Sequence, residues 1–321
     1  DYLAQGLSEE ETAEFDSEVT IDGLDRALTG LGFKTDRIGN IKHLVPRLAK
    51  GERWDFVLNI CEGLSGIGRE AQVPALLEAY GIPCVFADTL TACVTLDKGI
   101  AKLMVANAGV PTPPFAVLHR AEDAAAIKLP FPVFAKPVAE GSGKGVSAKS
   151  RAADAAELRT IAAELLEKFK QPVIVETFLS GREFTVGVTG MGAGARAVAC
   201  MEVLMGKSAE AHGYSYDNKE NWEGRIDYRL ADDAEGREAT EVALGAWRAL
   251  GCRDGGRVDI RSDGQGRPHF LEVNPLAGLN PEKSDLVIMC RLAGLTYEDL
   301  IGRIVAAFLD RNPALKRQAG L

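Results

Sequence analysis

Two short segments near the C-terminus constrain the fold most: Gly256-Arg257-Val258-Asp259-Ile260 and His269-Phe270-Leu271-Glu272-Val273-Asn274-Pro275. The polar, glycine-containing stretch 262–268 separates them, so together they read as a β-hairpin. Side chains alternate across a strand. Arg257 and Asp259 are therefore expected on one face, together with Glu272 and Asn274 of the partner strand. Val258, Ile260, Leu271 and Val273 are expected on the opposite, apolar face. Asp, Glu and Asn are hard oxygen ligands of the kind Mg²⁺ accepts while leaving positions for phosphate and water. An arginine beside them can stabilise a developing anion. An ordinary hairpin with one wet, charged face would show the same alternation, and these two segments alone do not separate the readings.

The 321 residues are enough for two or three domains and a sizeable core. A net charge of −9 with no basic block argues against nucleic acid as a partner. No apolar run approaches ~20 residues, so no transmembrane helix and no membrane partner are expected, and there is no signal-peptide pattern. The cysteines at 61, 84, 93, 200, 252 and 290 form no Cys-x-x-Cys pair. Reduced thiols in a cytoplasmic protein are the expectation. The four histidines have no metal-like spacing, which disfavours zinc.

Along the chain, a helix is expected from Asp16 or Ser17, with Val19, Ile21, Leu24, Leu28 and Leu31 on its inner face. Strands follow at 54–60 and 83–87, around a glycine-rich loop at 61–70 and a helix at 74–80. That order predicts a parallel, doubly wound sheet. A strand normally leads into the first helix of such a sheet, and none precedes Asp16, so the sheet is expected to lack its first strand. Ligands of such sheets bind at the carboxyl ends of strands, which makes Glu62 and Arg69 substrate candidates; solvated loop charge is their plainer reading.

From Leu96 the texture changes. Asp97 should cap a helix at 98–108, and Pro111, Pro113 and Pro114 stiffen a linker. A strand at 131–137 carries Lys136 into Glu140-Gly141-Ser142-Gly143-Lys144-Gly145, a segment able to fold over phosphates with backbone N–H groups. It fits neither the P-loop nor the dinucleotide fingerprint. A long helix at 153–169 and a strand at 172–176 follow, then Glu176 and Glu183 around a tight turn, and strands at 184–189 and 197–204. Residues 209–227, with Lys219, form a polar loop long enough to act as a lid. A helix at 238–250, the hairpin, and helices at 285–292 and 297–310 complete the chain.

The order of these pieces resembles the ATP-grasp superfamily, and within it the D-alanine–D-alanine ligases. The segments that carry the resemblance are Leu96-Asp97-Lys98, Ala135-Lys136-Pro137…Glu140-Gly141-Ser142, Glu176…Gly181-Arg182-Glu183, Arg257…Asp259 and Glu272-Val273-Asn274…Gly278. The resemblance implies an α/β protein, α+β in its C-terminal part, with an ATP-grasp fold in three domains. These are a substrate-side domain at 1–95, a central domain at 96–178 and a C-terminal domain at 179–321. It implies ATP and two Mg²⁺ ions as cofactors, with Mn²⁺ as an alternative. Lys98 and Lys136 would contact phosphates, as would Lys219 from the lid; Glu176, Phe178 and Leu179 would hold adenine, and Glu183 the ribose. Asp259, Glu272 and Asn274 would bind metal, Arg257 and the Gly278 N–H would form an oxyanion hole, and Ser142 would stand among the catalytic residues.

The implied activity is an ADP-forming ligase that joins a carboxylate to an amine through an acyl phosphate. Its substrates would be small amino-acid-like molecules, and a homodimer is compatible with it. D-alanine–D-alanine ligase proper and a nucleotide-binding regulatory protein without turnover are the alternatives. The substrate side departs from the family. Glu62-Gly63 stands for His-Gly, Gly66-Ile67-Gly68-Arg69 for Gly-Glu-Asp-Gly, Glu220 for tyrosine, and a longer segment containing Lys283 and Ser284 follows Gly278. Asp16 or Glu18 falls near the family's ammonium-binding glutamate. These departures favour a product other than D-alanyl-D-alanine, from a larger or more polar substrate.

Overall fold

The computed structural model describes residues 15–206 and 225–318, with Gly6, Ser8 and Thr12 ahead of them. Helix α1 (Glu18–Gly30) has Ser17 at its N-cap position. Its buried Leu24 and Ala27 pack with Phe86 and, from the far end of the chain, with Leu286, Ile301 and Ile304. Helix α2 (Ile41–Ala49) was not expected from the sequence. The Asn40 side chain accepts from the Lys42 N–H at its start, and Leu44 and Leu48 are its buried face. Pro46 inside this short helix conceals its periodicity.

Strands β1 (Val57–Leu58) and β2 (Cys84–Val85) pair in parallel, as expected, but each has only two residues. The ends explain the shortening. The Asn59 carboxamide accepts from the Cys61 N–H and turns the chain after β1. Phe86 takes a left-handed φ of 75° and donates its N–H to the Asp254 carboxylate at 2.7 Å. Asp254 is itself buried, and Arg311 donates to both its oxygens at 2.7 Å. The N-terminal segment is thereby tied to the C-terminal one.

Helices α3 (Gln72–Ala79), α4 (Thr89–Leu96) and α5 (Lys98–Asn107) follow. Asp88 caps α4, and Asp97 caps α5 by accepting from the Ile100 N–H at 2.9 Å. Strands β3 (Phe115–Leu118), β4 (Val133–Pro137), β5 (Arg151–Ala152) and β6 (Val173–Thr177) form an antiparallel sheet in the order β3-β6-β4-β5. Helix α6 (Ala155–Phe169) covers it through Leu158, Ala162 and Leu165.

A second antiparallel sheet has the order β11-β10-β7-β8-β9, from β7 (Glu183–Thr189), β8 (Arg196–Met205), β9 (Ile226–Leu230), β10 (Gly255–Ser262) and β11 (Pro268–Asn274). Helix α7 (Ala234–Ala249) packs across it with Trp247 fully buried. Helices α8 (Asp285–Leu292), α9 (Tyr297–Asp310) and α10 (Pro313–Gln318) close the chain. The expected lid at 209–227 falls outside the described residues except at its end, where residues 226–227 already belong to β9.

The hairpin register sets Arg257 opposite Asn274 and Asp259 opposite Glu272, on one face as expected. A bulge between Asp259 and Ile260 then pairs Ile260 with Phe270. Leu271 is the extra residue of that bulge. Phe270 takes the core position beside Val258, Ile260 and Val273, and Leu271 lines a cavity instead of the core. The simple alternation fails at that one residue.

Candidate active site

Two cavities meet at the hairpin's polar face. The smaller, about 90 Å³, lies between the two antiparallel sheets. Lys136 reaches it from β4, Glu176 from β6, Glu183 from β7, Asp259 from β10 and Glu272 from β11. Phe178 and Leu179, in the connection after β6, close one end; the Phe178 ring stacks with Phe134 at 6.3 Å between centroids. The larger cavity, about 270 Å³, is walled by Asp16, Glu62, Ser142, Gly278, Lys283 and Ser284, and by Arg257 and Asn274 of the hairpin. Lys98, Glu140 and Glu272 line both.

The smaller cavity is an alternating array of charges. Lys136 lies 3.2 Å from Glu272 and 3.5 Å from Glu176. Lys98 lies 3.6 Å from Glu272 and donates to the Glu140 carbonyl at 2.5 Å. Burial disfavours the charge on Lys136, but Glu176 and Glu272 outweigh it and raise its pKa. Burial likewise opposes ionisation of Glu176; Lys102 and Lys136 outweigh it and hold the carboxyl below its usual range. Arg261 sits 3.4 Å from Glu183 and over the Phe178 ring.

The glycine-rich segment is pinned where it enters the site. Glu140 pairs with Lys144 at 2.6 Å and accepts from the Gln171 carboxamide at 2.6 Å. Gly145 has a φ of 74°, and a Cβ there would come within 2.6 Å of the Pro137 ring, so glycine is required on both counts. Arg69 departs from the sequence reading. It lines neither cavity; buried, it donates to the Ala139 carbonyl at 2.7 Å and lies 4.0 Å from Glu140. It braces the segment from behind.

Among the hairpin donors, Asp259 accepts from Thr185 Oγ1 at 2.9 Å and from Asn274 Nδ2 at 3.3 Å. Arg257 Nη1 covers both Asp259 oxygens at 2.6 and 2.5 Å and lies 3.7 Å from Asp285. Burial opposes the Arg257 charge, but Asp259 and Asp285 outweigh it and raise its pKa. Asp259, Glu272 and Asn274 thus supply two carboxylates and an amide side by side. Among the described residues, no group of three or more His, Cys, Asp or Glu could hold a metal unaided. The donor set suits an ion that takes its remaining oxygens from phosphate and water, as Mg²⁺ does.

In the larger cavity, Asn280 organises the segment after Gly278. Its Oδ1 accepts from the N–H groups of Glu282 and Lys283, its Nδ2 lies 3.3 Å from Ser17 Oγ and Thr20 Oγ1, and its N–H donates to Ser284 Oγ. A Cβ on Gly278 would approach Ser284 Oγ to 2.8 Å. Burial raises the Asp16 pKa, opposed by a Thr20 hydrogen bond and by Lys283. Asn280, Glu70 and Lys102 were missed from the sequence. Lys102 could have been found: it lies on the buried stripe Lys98, Ala101, Lys102, Val105 of α5, where a lysine needs a partner. Lys219 lies outside the described residues.

The family model for the D-Ala–D-Ala ligase C-terminus matches residues 104–306. A D-alanine–D-alanine ligase of Cupriavidus pinatubonensis is 32% identical over 252 residues, 77% of this chain and 74% of that protein. The Bordetella pertussis D-alanine–D-alanine ligase is 33% identical over 253 residues, 77% of each. The crystal structure of D-alanine–D-alanine ligase from Bacillus anthracis superposes with a TM-score of 0.75 over 96% of both chains, at 22% identity, and carries the same fold. With 203 residues under the family model and relatives above 30% identity over three quarters of the chain, this protein belongs to the D-alanine–D-alanine ligase family of ATP-dependent, peptide-bond-forming ligases and has the ATP-grasp fold.

Proposed function

We propose that this ligase binds ATP in the smaller cavity and amino acids in the larger, and joins a carboxylate to an amine through an acyl phosphate with release of ADP. The shared wall carries the proposal: Lys98, Glu140 and Glu272 line both cavities. A terminal phosphate from one side and a carboxylate from the other meet there, as in-line attack on phosphorus requires. Glu176, Phe178 and Leu179 are assigned to adenine, Glu183 to the ribose hydroxyls, and Lys98, Lys136 and Lys219 to phosphates. Asp259, Glu272 and Asn274 would hold Mg²⁺, two ions in the full site or Mn²⁺ in its place, which when bound would neutralise phosphate charge.

In the second step the amine attacks the acyl phosphate. Arg257 and the Gly278 N–H are assigned to the oxyanion that forms, where fixed donors lower the barrier. Ser142, on the wall of the larger cavity, would orient the reacting phosphate or carboxylate. Asp16 would take a substrate ammonium, and Lys283 and Ser284 a carboxylate. Arg69 acts by bracing Ala139 and Glu140 rather than by touching substrate. A cytoplasmic enzyme is part of the proposal; no described helix is long and apolar enough to cross a membrane.

The acid and amine are proposed to be polar amino acids rather than two alanines. Glu62, Glu70 and Lys283 bring long charged side chains to the wall of the larger cavity. Two alanines offer only their own ammonium and carboxylate groups to such a wall. The names of the relatives favour D-alanine itself as the second reading. A phosphate-release screen of the purified protein against amino-acid pairs of both hands decides it. Efficient synthesis of D-alanyl-D-alanine, unmatched by any other pair, would establish the second reading.

A further inference from the structure

Lys102 has no part in the chemistry assigned above, yet it is fully buried beside the nucleotide cavity and lines neither cavity. Its ammonium lies 2.5 Å from Glu176 Oε1, 3.0 Å from Thr112 Oγ1 and 3.0 Å from the Phe270 carbonyl. Two of its three N–H donors go to Thr112 Oγ1 and the Phe270 carbonyl, and the Glu176 carboxylate is its ion-pair partner. The contacts come from different walls. Lys102 stands on α5, Glu176 on β6 of the four-stranded sheet, and Phe270 on β11 of the five-stranded sheet. One side chain therefore joins the two sheets that enclose the cavity.

The placement costs energy. Burial pulls the Lys102 pKa down to about 8, against the pull of Glu176. A Met or Leu on this inner stripe would avoid the cost, so a charge here calls for a use. Glu176 supplies one. Its other oxygen, Oε2, lies 3.5 Å from Lys136, a proposed phosphate ligand. Without Lys102, Lys136 alone would have to balance Glu176 while also lying 3.2 Å from Glu272. With Lys102 in place, the cations Lys98, Lys136, Lys144, Arg261 and Lys102 balance the carboxylates Glu140, Glu176, Glu183, Asp259 and Glu272 around the cavity; without it the carboxylates outnumber the cations, which disfavours an anionic ligand.

We propose that Lys102 is a positioning residue for the nucleotide. It acts through Glu176, fixing that carboxylate by Oε1 and leaving Lys136 free to bind phosphate. The proposal rests on ATP occupying the smaller cavity. It assigns Lys102 to ground-state nucleotide binding and to the choice of adenine, where the fixed carboxylate accepts from the exocyclic amine. It assigns Lys102 no contact with the amino acids.

The test is a double-mutant cycle on the full chain with Lys102→Met, Glu176→Gln and both, read by calorimetric titration with ADP and by steady-state kinetics. Loss of a charge-assisted contact of this kind is worth about ten- to hundredfold in affinity. Lys102→Met is expected to weaken ADP binding and raise the ATP KM by that factor. The preference for ATP over GTP should narrow, and kcat and the amino-acid KM should hardly move. In the Glu176→Gln background the effect of Lys102→Met should largely vanish, because no carboxylate charge remains to be balanced. Lys102→Gln keeps two donors for Thr112 and the Phe270 carbonyl but drops the charge. It should show the same loss of ADP affinity, and it reads the proposal even where the Met variant fails to fold. Wild-type ADP affinity in either variant, or an undiminished effect in the Glu176→Gln background, would overturn the role of Lys102. Failure of the unmodified protein to bind ADP would instead remove the nucleotide assignment itself.

Discussion

Around the smaller cavity most of the charged groups stand on strands, among them Lys136 on β4, Glu176 on β6, Glu183 on β7, Asp259 on β10 and Glu272 on β11. Around the larger cavity Asp16, Glu62, Gly278, Asn280 and Lys283 lie outside regular elements. The difference is chemical. Phosphoryl transfer needs charges fixed to fractions of an ångström, which a sheet supplies. Substrate choice is adjusted on loops, which can change length and charge without disturbing the core. Glu62 and the segment with Lys283 and Ser284, where the sequence departs from the family, fall on the loop side, whereas the matching Lys136, Glu176, Glu183, Asp259 and Glu272 fall on the strand side.

Glu272 belongs to both cavities, so its loss should erase the comparison and give the largest effect. Glu272→Gln is expected to lower turnover by on the order of 10³-fold, the rate equivalent of several kcal/mol of lost charge stabilisation. Its metal requirement should move to higher concentration, as a Mg²⁺ titration of initial rates would show. Unchanged metal dependence would remove Glu272 from the donor set.

Arg257→Ala comes next and sharpens the division within the reaction. Loss of one oxyanion donor typically costs about 10²–10³-fold in kcat. ADP affinity, measured separately, should stay near that of the unmodified enzyme. An equal loss in both would place Arg257 at the nucleotide.

Lys283→Met should give the smallest effect, confined to the loop side: a higher amino-acid KM with ATP KM unaltered. It should also move a pH profile. Lys283 is one of the groups that lower the Asp16 pKa, which burial has already raised. Removing it raises that pKa further, and Asp16 must be ionised to hold an ammonium. The acid limb of kcat/KM should therefore shift to higher pH. An unmoved limb would separate Asp16 from substrate binding.

The two final long helices begin and end where the sequence placed them, at 285–292 and 297–310, and the polar face of the hairpin follows from alternation. The failures have long-range causes. Leu271 points into the cavity because a bulge is a property of two strands together, and one strand's pattern does not contain it. Strand β2 stops at Val85 because Asp254, 168 residues away, takes the Phe86 N–H. Arg69 follows the loop after a strand, but position at a strand's end gives a neighbourhood, not a direction; its guanidinium reaches the Ala139 carbonyl in the turn after β4. Lys102 could be read as a buried lysine that needs a partner, but the partner, Glu176, lies far along the chain and could not.

The meeting of the two cavities at Glu272 and Lys98 is tested most directly by following oxygen. An amino-acid pair that supports ADP release is supplied with its acid component labelled with oxygen-18 in the carboxylate, and the released phosphate is analysed by mass spectrometry. Attack of that carboxylate on the terminal phosphate at the shared wall predicts one labelled oxygen carried into phosphate at each turnover. Unlabelled phosphate, with the label left in the product or carried into AMP, would contradict it.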